Sequence, residues 1–448
     1  MDNLTRLPIA ALGTRIRDGT TTSEAITSAC LEYIAQTNPR LNAFITILGD
    51  RALAEARQAD HEIRTGHDRG PLHGVPLSLK DLIDLAGTPT TAASQVRQGS
   101  IARRDAPVVT HLKQAGAVII GKCNLHEFAY GTTSDESAFG PVRHPLDPTR
   151  AAGGSSGGSA VAVATGMCAG SVGTDTGGSI RIPSALCGAT GLKPGYREVS
   201  CAGVIPLSWS LDHVGPIASC VDDTWLLFNA MRGDTPPLLH DRPSTLHYRL
   251  GVPRTYFLDA LDDDVRARFS ETVSRLRAAG ANVEDVWIPH AADTAPVYLH
   301  IAAPEAAAYH AIALERHPEA YTPNVRLRLE AGRYILAEDY VRAQRGREVL
   351  RHEVDAALRG CDALLLPTVA IPPPTIGATD VDVAGRTESV RSIMLRLTQL
   401  FNLTGHPAIS LPAGATSQGF PCAIQLVGAL GETQQLLELA RACEQQVR

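Results

Sequence analysis

Two serines embedded in glycine, 24 positions apart, are the residues of this chain whose type and setting best suit covalent chemistry. They stand in Gly153-Gly154-Ser155-Ser156-Gly157-Gly158-Ser159 and in Gly173-Thr174-Asp175-Thr176-Gly177-Gly178-Ser179-Ile180-Arg181, while Lys80 lies upstream in Leu77-Ser78-Leu79-Lys80-Asp81. A serine hydroxyl is a weak nucleophile until a base within hydrogen-bond reach takes its proton. Glycines beside it let a carbonyl group approach main-chain N–H groups closely, which is what an oxyanion hole requires. Serine, base and oxyanion donors together are the parts of an acyl-transfer site.

Two kinds of base fit. The stretch Gly153 to Gly157 matches the G-x-S-x-G elbow, in which a histidine activates the serine, but that elbow needs a strand directly before Ser155. The preceding residues include Pro145 and Pro148, so a loop is predicted there instead. The other base is Lys80, at the end of an apolar segment expected to be buried. Burial disfavours the ammonium form and can lower a lysine pKa by several units, leaving an amine that accepts a proton. On spacing alone, an isolated lysine at a strand end is more often a solvated or salt-bridged side chain.

The elements that must carry these residues follow from hydrophobic period and capping signals. Helices are predicted over Thr22–Gln36, ended by Asn38-Pro39, and over Ala52–Thr65, forming an N-terminal helical layer (residues 1–70) on a core spanning 71–448. Beyond Pro71, short apolar strands alternate with helices: Pro76–Lys80, Ala117–Gly121, Cys168–Gly173, Leu250–Pro253, Asn282–Trp287, Ala363–Leu366, Ala408–Leu411 and Cys422–Val427, with helices at Ala106–Gln114, after the first glycine run, at Asp262–Ala278, at Glu338–Leu358 and from Thr433. That alternation predicts one large α/β domain with a mixed, mostly parallel twisted sheet flanked by helices. The stiff loop Pro367 to Pro374 reads as a crossover or as a pocket rim. Ser156 and Ser159 read as helix caps.

Composition excludes several classes. With 448 residues, 44% hydrophobic and 20% charged, the chain has the make-up of a globular protein with a large core. A formal net charge of −6 without a long basic run argues against a nucleic-acid partner. No apolar run approaches the roughly 20 residues of a membrane-spanning helix. Nine scattered cysteines with no Cys-x-x-Cys pair read as buried apolar residues in a reducing cytoplasm. His73, His126 and His213 lack metal-ligand spacing and are expected to be ordinary hydrogen-bonded histidines, so neither metal nor cofactor is expected.

The motif set as a whole resembles the amidase signature family. Gly74-Val-Pro-Leu-Ser-Leu-Lys80-Asp81, Gly121-Lys-Cys-Asn124-Leu-His-Glu127-Phe128, the two glycine–serine runs, and Phe401-Asn-Leu-Thr-Gly-His-Pro407-Ala-Ile-Ser-Leu-Pro412 occur in that family's order and spacing. The resemblance implies a Ser, cis-Ser, Lys triad with Ser179 as nucleophile, Ser155 as bridging serine behind a cis Gly154–Ser155 bond, and Lys80 as base. It further implies an oxyanion hole from the N–H groups of Thr176, Gly177, Gly178 and Ser179, with Asp175 and Arg181 supporting the loop. Tyr130, Gly131 and Gly154 are expected beside the substrate.

Such a protein hydrolyses a C–N bond in a small amide, aryl or aliphatic, or in a carbamate (urethane), as a monomer or a homodimer. The other implied class is the glutaminase component of a tRNA-dependent amidotransferase. Ala303-Pro-Glu305-Ala-Ala-Ala-Tyr309-His310 departs from that class, which carries polar residues there, and suits an uncharged or aromatic group better.

Overall fold

A computed structural model of the chain describes residues 4–234 and 247–447. Thirteen strands are found among them: β1 (Phe44–Ile47), β2 (Pro76–Lys80), β3 (Val118–Cys123), β4 (Gly170–Asp175), β5 (Thr190–Lys193), β6 (His213–Ala218), β7 (Arg249–Pro253), β8 (Asn282–Val286), β9 (Ala363–Pro367), β10 (Asp380–Val383), β11 (Arg386–Ser389), β12 (Ala408–Ala415) and β13 (Pro421–Val427). Eleven form one sheet in the order β1-β3-β2-β4-β6-β5-β12-β13-β9-β7-β8, and β10 and β11 form a separate hairpin. The expected mixed sheet flanked by helices is present. Its parallel ladders lie in two flanking blocks, β3-β2-β4 and β9-β7-β8, whereas the centre from β4 to β9 is antiparallel.

The first parallel block positions the chemistry. β2 reads Pro-Leu-Ser-Leu-Lys and is buried along its whole length, as a strand covered on both faces must be. Burying Leu77 and Leu79 stabilises the strand by about 1.5–3 kcal/mol each. Leu79 is in register with Lys122 of β3 and with Val172 of β4. Parallel neighbours end on the same side, so the C-terminal ends of the three strands bring Lys80, Cys123 and Asp175 to one edge, where α/β sheets form their ligand crevices.

The N-terminal segment contributes more than the expected helical layer: β1 pairs antiparallel with β3 and becomes the sheet edge. Its long helix, Ser23–Leu41, does not stop at Asn38-Pro39 but carries Pro39 inside its last turn. It ends at Asn42, which takes the left-handed conformation (φ 54°) and donates its N–H to the Asn38 carbonyl at 2.7 Å. Strands β5 and β6 and the helices Val221–Arg232, Thr294–Arg316 and Pro323–Gly332 were not anticipated from the sequence pattern. The helix Thr294–Arg316 contains Pro304 and is apolar around most of its circumference, which blurs any helical stripe. The proline loop after β9 pins the approach to the first glycine run, because Ala151 N–H and Arg150 Nη1 donate to the carbonyls of Pro374 and Pro373 at 2.9 and 2.6 Å.

Candidate active site

Lys80 is fully buried, and its Nζ lies 2.7 Å from Ser155 Oγ and 2.7 Å from Thr174 Oγ1. No carboxylate forms an ion pair with it among the described residues. Burial pulls its pKa down from 10.5 to about 7, against the opposing charges of Asp175 and Asp212. The Gly154–Ser155 peptide is cis, as the resemblance implied. Ser155 itself is wholly buried; its carbonyl accepts from His126 N–H at 3.2 Å and from Ser134 Oγ at 3.1 Å. A Cβ on Gly154 would stand 2.8 Å from the Ser134 nitrogen, so this close approach requires glycine.

The second serine run is joined to the first through backbone, since Ser156 N–H donates to the Ser179 carbonyl at 3.1 Å. The loop before the short helix Arg181–Cys187 holds Ser179, which is 5% exposed where Ser155 and Lys80 are wholly buried. Ser156 does not cap its helix with its hydroxyl; the hydroxyl donates to the Thr174 carbonyl at 3.1 Å and so ties the run to β4. Ser159 lies inside that helix, with its hydroxyl buried and unpaired. Residues 144–156 form no strand, in keeping with the loop expected ahead of Ser155.

Asp175 and Arg181 brace the loop as a bidentate pair: Arg181 Nε and Nη2 reach the two carboxylate oxygens of Asp175 at 3.0 Å each. Burial raises the Asp175 pKa, but the guanidinium and the hydrogen bonds from Arg181 and Asn402 outweigh it and hold the carboxyl well below the usual carboxylate range. Arg181 also donates to Asn402 Oδ1 at 2.6 Å and to Gln425 Oε1 at 3.1 Å, tying the loop to the C-terminal motif and to β13. Asn402 and Thr174 lie within quoted motifs, Phe401 to Pro412 and Gly173 to Arg181, although neither role follows from the motif alone; Gln425 lies outside every quoted motif.

One expected oxyanion donor is already occupied. Gly178 N–H donates to Asp175 Oδ1 at 2.7 Å, so it serves the brace and is not available to a substrate oxygen. The residue must still be glycine: its φ is +137°, and a Cβ would collide with the Thr398 hydroxyl. Thr176 is anchored by its side chain, which donates to Asp212 Oδ1 at 2.6 Å. Burial pushes the Asp212 carboxyl up to about 7, against the hydrogen bonds from Thr176, Ser208 and Leu207. Sequence reading missed Asp212, which has no motif around it and acts only through the fold.

A cavity of about 210 Å³ is lined by Thr174, Thr176 and Asp212 themselves, and two larger ones approach these loops. One, of about 460 Å³, is lined by Tyr130, Tyr298, Leu299, Ala303, Arg391 and Leu395, among others. It comes up against Gly177, where a Cβ would meet Tyr298 Oη at 2.8 Å and Leu395 Cδ2 at 3.2 Å. The other, of about 410 Å³, includes Gly131, Thr132, Glu136, Arg328 and again Arg391. Its wall reaches Gly154, where a Cβ would lie 2.9 Å from the Thr132 carbonyl carbon. Tyr130 thus lines the first of these two and Gly131 the second. His126, which also lines the second, is not the hydrogen-bonded histidine expected: both ring nitrogens are buried without a hydrogen bond, with Glu136 3.7 Å from Nε2. Among the described residues, no group of three or more His, Cys, Asp or Glu is placed to hold a metal ion, and no helix is long and apolar enough to cross a membrane.

Comparison with known proteins supplies the family. A family model described as Amidase matches residues 25–437. The chain is 39% identical over 433 residues to an amidase from Pseudomonas putida, covering 94% of this chain and 91% of that protein. It is 34% identical over 481 residues to a glutamyl-tRNA(Gln) amidotransferase component from Syntrophus aciditrophicus, covering 98% and 97%. A crystal structure of an amidase superposes with a TM-score of 0.93 at 38% identity, covering 99% of this chain and all of that one. A relative this similar across nearly the whole length, together with a family match of that extent, makes the chain a member of the amidase family, hydrolases that act on amides.

Proposed function

We propose that the protein is a free-standing amidase that cleaves C–N bonds of small aryl or aliphatic amides, and of carbamates, through an acyl-enzyme on Ser179. The observation that carries this reading is Lys80: buried, bonded to Ser155 Oγ at 2.7 Å, without a carboxylate partner, and with its pKa lowered to about 7. An amine neutral near pH 7 can take the Ser155 proton while Ser155 takes the Ser179 proton, as Ser179 Oγ attacks the amide carbonyl carbon. The resulting oxyanion is received by the N–H groups of Thr176, Gly177 and Ser179, since that of Gly178 is committed. A donor of this kind is typically worth about 3 kcal/mol in the transition state. Ser155 then returns the proton to the leaving nitrogen, the C–N bond breaks, and water releases the acid by the same relay.

The free-standing reading rests on the cavity wall, where Ala302, Ala303, Leu299 and Leu395 offer apolar contact. The likeness to the amidotransferase component favours the second reading, a glutaminase that works with a partner. Assaying the purified chain on a para-nitroanilide, a nitrophenyl carbamate and glutamine separates the two. Turnover of the anilide by the chain alone is expected, and turnover of glutamine only after addition of a partner would reverse the choice. A fluorophosphonate should label Ser179, and labelling at Ser155 instead would overturn the nucleophile assignment. With nine free cysteines, the chain is placed in a reducing cytoplasm under this proposal.

A further inference from the structure

Arg391 is the one guanidinium shared by the two larger cavities that approach the serine loops. Two neighbouring arginines have hydrogen-bond acceptors: Arg328 Nη1 donates to the Tyr130 carbonyl at 2.7 Å, and Arg396 donates twice to the Tyr256 carbonyl at 3.1 and 2.8 Å. Arg391 makes no hydrogen bond or ion pair among the described residues. Its Nε is buried and unpaired, and its guanidinium carbon sits 5.6 Å from the centre of the Tyr130 ring.

Nearby acids do not neutralise it. Glu388, three positions earlier on the chain and lining the same cavity, forms no ion pair with it. Asp135 accepts from Thr133 Oγ1 and Gly377 N–H, and Glu136 accepts from Asn324 Nδ2. A buried donor without an acceptor is costly, and buried polar groups are nearly always paired. A planar guanidinium lining a cavity with one apolar wall suits a carboxylate, which it binds with charge-assisted and often bidentate hydrogen bonds.

We infer that Arg391 is a specificity-determining residue that binds an anionic group, a carboxylate, carried by the amide substrate away from its scissile bond. The apolar wall of Tyr298, Leu299 and Leu395 then holds the body of the substrate between Arg391 and the carbonyl at Ser179. This inference rests on the amidase reading above and narrows its substrate class to amides bearing an acid, in place of the uncharged group suggested by the alanine-rich segment.

The test compares isosteric pairs: succinyl para-nitroanilide with its terminal carboxamide, and acetyl para-aminobenzoate with acetyl para-aminobenzamide. The first pair places the charge on the acyl side, the second on the leaving group. In at least one pair, the carboxylate is expected to raise kcat/KM at least tenfold, mainly through KM. Arg391→Gln should reduce that ratio at least tenfold with no change in thermal midpoint, while Arg391→Lys keeps part of it. A wild-type ratio near one in both pairs, or a ratio unmoved by Arg391→Gln, overturns the inference while leaving the amidase reading intact. If the wild type cleaves no probe at all, the amidase reading fails on its own. Calorimetric binding of succinate and para-aminobenzoate to wild type and Arg391→Gln then decides the subsite: weaker binding to the variant supports it, and equal or absent binding overturns it.

Discussion

The ends of β2 and β3 present two lysines that are equally buried and only one register step apart, yet do different work. Lys80 meets two hydroxyls, Ser155 and Thr174, whereas Lys122 forms an ion pair with Asp81 at 3.0 Å and donates to the Pro89 carbonyl at 3.0 Å. Burial lowers both pKa values, and at Lys122 the adjacent Asp81 charge opposes that shift. A buried lysine becomes a base where its neighbours are neutral and a structural cation where one is a carboxylate. What distinguishes the two ends is the charge of the partner rather than the degree of burial.

The largest break in this comparison should come from removing the relay. Lys80→Met and Ser179→Ala should each lower kcat on the order of 10⁴-fold, as steady-state assay on a para-nitroanilide would read. Retention of more than a tenth of the activity in either variant would remove that residue from the mechanism. Lys122→Met should act on stability instead, by roughly 3–5 kcal/mol, because it strands the buried Asp81 carboxylate. Denaturant titration measures this, and Lys80→Met should lose less, since no buried counter-ion is left behind.

Smaller effects sharpen the picture. Thr174→Val deletes one of the two hydroxyls on Lys80, worth about 1 kcal/mol, so kcat should fall roughly five- to tenfold with little change in KM. A pH profile gives the sign of the Lys80 shift. With its pKa lowered from 10.5 to about 7, the amine is neutral above about pH 7 and protonated below, so activity should fall as pH drops through about 7. Between those two values the unfolded chain holds a proton that the folded chain lacks, so this group makes stability rise with pH across that window, a slope that Lys80→Met should flatten. The smallest change belongs to Asp212→Asn: removing a charge that raises the Lys80 pKa should move the acid limb to lower pH by a fraction of a unit. An unmoved acid limb would show that the Asp212 charge does not act on Lys80.

Much of the fold was legible because its strands are short apolar runs bounded by turn residues. β2, β9 and β13 were located within a residue or so of their observed limits. The central strands β5 and β6 escaped notice because Thr190–Lys193 and His213–Ala218 have neither alternation nor a strongly apolar run; pairing with β4 and β12 makes them strands. The helices Thr294–Arg316 and Pro323–Gly332 build the cavity side; the first escaped for want of a polar stripe, the second because Val325, Leu327 and Leu329 alternate with charged residues as in a strand, despite its Thr322-Pro323 start. At the proposed site, the serines and glycines announced themselves by type and Thr174 by its place in a quoted motif, whereas Asp212, Gln425 and Arg391 are ordinary residues in sequence.

By itself, the sequence determined the chemical parts: two serines, the glycines that allow close approach, and a lysine on an apolar segment. Those follow from residue type and local pattern, which act over a few positions along the chain. Only the tertiary structure decided that Lys80 meets two hydroxyls and no counter-ion, that Gly178 N–H serves Asp175, and that Arg391 faces two cavities without an acceptor. Partner charge, donor occupancy and burial arise from contacts between residues up to hundreds of positions apart, such as Arg181 with Gln425, and no local pattern encodes them.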